Sequence, residues 1–286
     1  VATLLKGKEV ADCISGQLLT KISELKNKGI NPTLAIIRVG EKQSDLSYEK
    51  GAVNRCAKLG IEVQHFNLAE TCTMTELLAT IETVNKDDKI HGCLMFRPLP
   101  KTLDEKAACA ALAPEKDVDC ITEQSLAGIF TGNAVGYPPC TAQACIEILE
   151  HYGYEIKGKR VTVVGRSLVI GKPVAMMLLS KNATLTICHS HTKNIEESWR
   201  DADIIILAVG KPKMVKAKGI NSKQVIIDVG INVDEEGKLC GDADFSAIEP
   251  IAGAITPVPG GVGAVTTSVL AKHVVMAAEK IMEARK

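Results

Sequence analysis

The chain has 286 residues, of which 46% are hydrophobic and 24% charged. That length is generous for one compact domain and comfortable for two, with enough apolar mass for a sizeable core. Basic and acidic side chains balance at 34 each, which excludes the cationic surplus of a nucleic-acid binder and the charge block of a solvated tail.

Val10 to Leu25 carries apolar residues at helical spacing. Thr33 to Val39 is an apolar run of strand length. A polar loop, Gly40 to Asp45, leads to a helix expected from about Ser47 to Leu59. Ile61 to Phe66 predicts a second strand, Thr75 to Val84 a helix, and Ile90 to Phe96 a third strand ended by Pro98-Leu99-Pro100. Asp104 to Leu112 is helical in pattern. Ala113 to Pro139, rich in Pro, Gly and Asp, reads as irregular. A helix follows from Thr141, a suitable N-cap, to Tyr152, and Gly153 to Lys159 reads as a linker.

The alternation then resumes. Strand Arg160 to Val164, helix Lys172 to Ser180, strand Ala183 to Cys188, helix Ile195 to Arg200 and strands Asp203 to Val209 and Gln224 to Val229 are expected. A final helix runs from about Val265 to Glu283. Short strands alternating with helices predict parallel βαβ units, hence an α/β fold. The linker and the returning final helix predict two lobes joined by two crossings.

The apolar runs Ile204 to Val209 and Val225 to Val229 fall far short of the roughly 18 residues needed to cross a bilayer, so no membrane partner is expected. Val1 to Lys8 lacks the apolar centre of a signal peptide. Ten cysteines are scattered without CxxC or CxxH spacing, several inside apolar segments (Cys93, Cys145, Cys188). They predict free buried thiols in a reducing compartment, taken to be the cytoplasm, with no disulfide framework and no metal.

Ligands of open parallel sheets bind beyond the carboxyl ends of the strands. The strongest signal there is Val164-Gly165-Arg166-Ser167-Leu168-Val169-Ile170-Gly171-Lys172-Pro173: a buried strand, a glycine turn and a helix start. Glycine admits close approach of backbone to ligand, and a helix N-terminus offers N–H groups to a phosphate. Arg166 can pair with a phosphate and Ser167 can donate to one. The spacing is not GxGxxG, so by itself it indicates a nucleotide and no more. The next strand end, Cys188-His189-Ser190-His191-Thr192, holds no acidic residue of the kind that grips a ribose hydroxyl. Ser190 with Arg166 therefore favours a 2′-phosphate, and NADP over NAD, although an arginine here also suits a pyrophosphate. Gly210 and Gly230 open the sheet at two further strand ends. Thr256-Pro257-Val258-Pro259-Gly260-Gly261-Val262-Gly263 is a shaped loop leading into the final helix.

Pro114-Glu115-Lys116-Asp117-Val118-Asp119, Pro139-Cys140-Thr141, Val164 to Ser167, Asp228-Val229-Gly230-Ile231-Asn232 and the Thr256 to Gly263 loop together resemble the bifunctional methylenetetrahydrofolate dehydrogenase/methenyltetrahydrofolate cyclohydrolase family. The resemblance covers essentially the whole chain. It implies a folate-binding catalytic domain (1–145 plus 267–286) and a Rossmann-type NAD(P)-binding domain (146–266). It also implies a homodimer and a small-molecule folate substrate. The implied reaction is hydride transfer from 5,10-methylenetetrahydrofolate to a nicotinamide cofactor, then hydrolysis of the methenyl product to 10-formyltetrahydrofolate. The cofactor contacts it implies are Gly165, Arg166, Ser167, Ser190 and Ile231. Asp119 resembles the carboxylate that grips the pterin, Tyr48 the active-site tyrosine, and Pro259, Gly260, Gly261, Val262 and Gly263 the loop closing over the folate.

Two positions of the implied substrate site depart from that pattern. The family's lysine, one helical turn after the tyrosine, is Ala52 here, and the glutamine that partners it is Phe96. Lys50 faces elsewhere on the helix, and Arg55 lies two turns beyond Tyr48. Loss of both partners predicts that the dehydrogenase survives and the cyclohydrolase is weak or absent. A smaller departure is Ala264-Val265 after the loop, where proline and methionine are usual. The alternatives are a dehydrogenase of another pterin adduct and a catalytically silent folate- or nucleotide-binding protein.

Overall fold

The computed structural model describes residues 1–133 and 135–284. In chain order the elements are β1 (Thr3–Leu4), α1 (Gly7–Asn27), β2 (Thr33–Val39), α2 (Gln43–Leu59), β3 (Glu62–Leu68), α3 (Met74–Lys86), β4 (Gly92–Met95), α4 (Glu105–Ala111), α5 (Glu123–Thr131) and α6 (Cys140–His151). They continue as β5 (Arg160–Val164), α7 (Gly171–Ser180), β6 (Thr184–Cys188), β7 (Ile204–Leu207), β8 (Val225–Asp228), β9 (Asn232–Val233), β10 (Leu239–Cys240), α8 (Phe245–Ile248), β11 (Ala254–Ile255) and α9 (Thr266–Ala284). The chain divides into two compact units, residues 13–140 with 267–286, and residues 1–12 with 141–266.

The first of these units is built on a parallel sheet in the order β3-β2-β4. Central β2 is buried at every position, Arg38 included, as a strand covered on both faces must be. Ile81, Val84 and Leu77 of α3 pack with Ile37, Cys93 and Met95 of the sheet. Thr73 closes a capping box with Glu76 at the start of α3, and the Asp104 carboxylate caps α4. Helix α9 returns to this unit, where Lys21 of α1 pairs with Glu279 at 3.0 Å.

The second unit holds a six-stranded sheet, β1-β11-β8-β7-β5-β6, parallel throughout. The chain passes from β5 outward to β6 and then returns to the other side of β5 to form β7. This reversal makes the carboxyl ends of β5 and β7 the topological switch point. Strands β7 and β8 are buried at every residue.

Four local expectations are corrected. The stretch Ala113 to Pro139 contains α5, which Thr122 caps by accepting from the Ser125 N–H. The Asp117 carboxylate anchors its start, accepting from the N–H groups of Ile121 and Thr122 and from Ser125 Oγ at 2.6 to 2.9 Å. Thr141 is not an N-cap: α6 begins at Cys140, whose N–H donates to Asp119 Oδ1 at 2.9 Å. The helix expected over Ile195 to Arg200 is a single 3-10 turn, Ile195–Ser198, ended as Thr162 Oγ1 donates to the Ser198 carbonyl. Residues 1–12 join the second unit because β1 pairs with β11 at Thr3–Ala254 and Leu4–Ile255.

Candidate functional site

In the second unit a cavity of about 470 Å³ opens at the switch point, lined by Gly165, Arg166 and Ser167 after β5, His189, Ser190 and Thr192 after β6, and Ala208, Val209 and Lys211 after β7. Gly165 has φ +132°, a region closed to other residues, and a Cβ there would strike the Ala208 carbonyl, 2.9 Å from its carbon. A Cβ on Gly171 would lie 2.7 Å from the Arg166 nitrogen. The turn is therefore folded so tightly that only glycine fits at both ends. Ser167 Oγ accepts from the N–H of Ile170 at 3.2 Å, which fixes the turn and leaves the hydroxyl hydrogen to donate outward. Arg166, Ser167 and Ser190 are brought to one cavity whose lining holds no carboxylate. That set suits a phosphorylated ribose: a cation and two hydroxyls, with backbone that a ligand can approach closely.

A smaller cavity of about 300 Å³ in the same unit is walled by Asp228 to Ile231 on one side and Pro257 to Ala264 on the other. It collects Ile231 and all of Pro259, Gly260, Gly261, Val262 and Gly263. Ile231 is 66% exposed, an apolar surface available to a ring. The loop's shape comes from a cis Val258–Pro259 bond and from Gly260 at φ +98°. Ala264 ends a 3-10 turn, Val262–Ala264, just before α9.

Two buried carboxylates underlie these cavities, and the sequence did not single them out. Asp228 accepts from the N–H groups of Gly230, Asp242 and Ala243 at 2.8 to 3.0 Å. Burial pushes its carboxyl up to about 6, against the pull of those three bonds. Asp242 is completely buried and accepts four donors.

In the first unit β2 and β4 likewise form a switch point, since β3 and β4 leave β2 on opposite sides. Phe96 follows β4 and donates its N–H to the Ile37 carbonyl at 3.0 Å. Tyr48, on α2, meets the Phe96 ring edge-on with centroids 6.0 Å apart. The segment after α4 pairs with β4 at Cys93–Asp117, placing Asp119 two residues beyond that bridge. Asp119 is half-buried, and burial raises its carboxyl above the usual carboxylate range, with the Cys140 N–H acting against the rise. Ala52 is completely buried, so its methyl group presents no surface to a ligand. Lys50 is exposed, and Arg55 Nη1 donates to Ser15 Oγ of α1 at 3.1 Å.

Beside Tyr48 lies an ionic cluster that was overlooked in the sequence. Arg38 Nε of β2 contacts Glu49 Oε2 at 2.7 Å, both buried, and His65 Nδ1 of β3 contacts Glu49 Oε1 at 2.8 Å. It ties the helix that carries Tyr48 to the sheet. The available signal was an arginine inside an otherwise apolar strand, because a buried charge needs a partner.

The cysteines are free, eight of them buried, and burial pushes Cys56 and Cys145 up to about 12, which leaves them unreactive thiols. Among the described residues no group of three His, Cys, Asp or Glu side chains is placed to hold a metal ion. Among the described residues no helix is long and apolar enough to cross a membrane.

Residues 5–119 match the catalytic-domain model of tetrahydrofolate dehydrogenase/cyclohydrolase, and residues 139–282 match its NAD(P)-binding domain. The bifunctional protein FolD of Clostridioides difficile strain 630 is 52% identical over 274 residues, spanning 96% of each chain. The crystal structure of the bifunctional FolD enzyme from Campylobacter jejuni superposes with a TM-score of 0.94 at 36% identity, covering 98% of this chain and 99% of that one. The Trypanosoma brucei FolD structure, complexed with NADP cofactor and inhibitor, superposes with a TM-score of 0.90 at 32% identity and 98% coverage of both chains.

Proposed function

The chain belongs to the tetrahydrofolate dehydrogenase/cyclohydrolase family, and from that premise we propose that it oxidises 5,10-methylenetetrahydrofolate to the 5,10-methenyl form with NADP, in one-carbon folate metabolism. The observation that carries the reading is the switch-point cavity. Its glycine cradle at Gly165 admits a dinucleotide backbone, and Arg166, Ser167 and Ser190 answer a 2′-phosphate with no carboxylate to repel it. When bound, NADP supplies the hydride acceptor. The chain's own task is placement, because oxidation at the one-carbon bridge needs little proton traffic and much orientation. Ile231 and the Pro259 to Gly263 loop hold rings by apolar contact. Asp119, with one oxygen committed to the Cys140 N–H, turns the other to the pterin's donor edge. Tyr48 packs beside the folate, its ring set by Phe96.

The second activity, hydrolysis of the methenyl product, is weak or absent in this proposal. It needs a group that moves a proton as water attacks. At the two positions where the resemblance calls for lysine and glutamine stand a buried methyl and a phenyl ring, Ala52 and Phe96. Arg55 is engaged with Ser15, and a guanidinium offers donors but no acceptor. The domain roles follow: the unit of residues 141–266 with 1–12 holds the cofactor, and the unit of 13–140 with 267–286 holds the folate. A homodimer in the cytoplasm belongs to the same proposal, which sedimentation of the purified protein tests.

The experiment is hydride transfer from methylenetetrahydrofolate, with NADP and NAD in turn, alongside hydrolysis of methenyltetrahydrofolate. Reduction of NADP in preference to NAD, with hydrolysis near the uncatalysed rate, is expected. No reduction of either cofactor would leave a silent binding protein, and hydrolysis at an ordinary enzymatic rate would overturn the second half.

A further inference from the structure

Val209, Gly210 and Lys211 leave the carboxyl end of β7 with three consecutive N–H groups turned inward. Such a run forms a concave nest suited to an anion. Here the nest is filled from within. Asp242 Oδ2 accepts from Val209 at 2.6 Å and Gly210 at 3.0 Å, and Oδ1 accepts from Lys211 at 2.9 Å. Oδ1 also accepts from Asn232 Nδ2 at 2.9 Å, just after Ile231. The carboxylate has no exposed surface and lines neither cavity. One side chain thus grips a wall of each: Val209 and Lys211 belong to the larger cavity, Ile231 to the smaller.

The grip is itself anchored. Asp242 accepts the Val215 N–H on its carbonyl at 2.9 Å and donates its own N–H to Asp228 Oδ1 at 3.0 Å. Gly230 lies so close beneath it that a Cβ there would come within 2.6 Å of the Asp242 nitrogen. Only an acceptor with two oxygens satisfies four converging donors. An amide in its place turns an NH₂ against N–H groups and leaves buried donors unpaired.

We propose that Asp242 is a positioning residue for the dinucleotide, holding the wall after β7 and the wall around Ile231 in the fixed relation that cofactor binding requires. The proposal rests on the reading of the larger cavity, together with Ile231, as the cofactor site. It predicts damage to the cofactor parameters and not to folate recognition, because none of the four donors belongs to the Pro259 to Gly263 loop or to the unit that carries Tyr48 and Asp119.

The test uses the whole enzyme and two variants, Asp242→Asn and Asn232→Ala. NADPH binding is read from quenching of Trp199, the single tryptophan, which follows the 3-10 turn whose Ile195 lines the larger cavity. KM for each substrate, kcat and melting temperature are measured alongside. Asp242→Asn should weaken NADPH binding and raise the cofactor KM by about tenfold or more, with folate KM at saturating cofactor within about twofold of wild type. Asn232→Ala removes one donor and spares the carboxylate. It should raise the cofactor KM by about threefold, and it decides the matter alone if Asp242→Asn does not fold. Unchanged cofactor binding in both variants, or an equal rise in both KM values, overturns the proposal. Failure of the wild type to bind NADPH would instead overturn the cofactor assignment.

Discussion

Replacing Gly165 by alanine tests whether the β5 turn is shaped by close backbone approach. Two costs combine at this position. The backbone sits at φ +132°, where a side chain costs on the order of 1–3 kcal/mol. The new Cβ also meets the Ala208 carbonyl, a backbone group that no rotamer can move aside, so β5 and β7 must separate. Together these give a loss of about 3 kcal/mol or more, or roughly 6–12 °C of melting temperature for a unit of this size. Gly210 is the internal control. It too has positive φ, +69°, but an added Cβ meets nothing within 4 Å. Gly210→Ala should cost only about 1 kcal/mol, roughly 2–4 °C. Scanning calorimetry gives the melting temperatures, and steady-state kinetics the cofactor KM, which should rise severalfold in Gly165→Ala. If the two alanine variants melt together and Gly165→Ala keeps the wild-type cofactor KM, close packing at the turn is not what glycine supplies.

Three further outcomes are expected. Asp117→Asn should lower stability by about 2–4 kcal/mol in urea unfolding, since it breaks the anchor of α5, whereas Asp119→Asn should chiefly raise the folate KM; an Asp117 variant of normal stability contradicts the anchor role. Ala52→Lys alone should leave methenyltetrahydrofolate hydrolysis near background and reduce stability, because the position is completely buried and Phe96 offers the ammonium no partner; with Phe96→Gln added, hydrolysis should rise above the single variant, and equal rates would refute the pairing. Asp228 titrates near 6, above its ordinary 3.8, so its contribution is full below about 3.8 and is lost as pH rises through about 6. Asp228→Asn removes that titration, and urea unfolding across this window should show the wild-type advantage shrinking by an amount on the order of 3 kcal/mol, while a flat difference refutes it.

Much of this fold is legible because βαβ units are local. Strand β2 was expected at Thr33 to Val39 and forms there, since a mostly apolar run of strand length buries both its faces at the centre of a parallel sheet. The glycine turn from Gly165 to Gly171 was legible as a strand end followed by a helix start, although the carbonyl that excludes a Cβ at Gly165 belongs to Ala208 on the neighbouring strand end. Helix α5 was hidden, because its start depends on Asp117, a residue outside it whose carboxylate finds the first N–H groups only after the chain has turned. The short strands β1 and β11 were hidden because each has two residues, too few for any periodicity, and β1 exists only by pairing with β11 from the far end of the chain.

The sequence by itself determined the parallel α/β architecture, the glycine turn and the family, all carried by local pattern and by motifs in order. Only the tertiary structure decided which carboxylates hold the frame. Asp117 and Asp119 are two residues apart, yet one is bound to three donors of its own chain and the other accepts the Cys140 N–H at the start of α6. Asp228 and Asp242 are both buried and held by donors of their own unit. The physical reason is that a carboxylate's role is set by the donors around it, and donors as distant as Val209 and Asn232 converge on one side chain only when the sheet has formed.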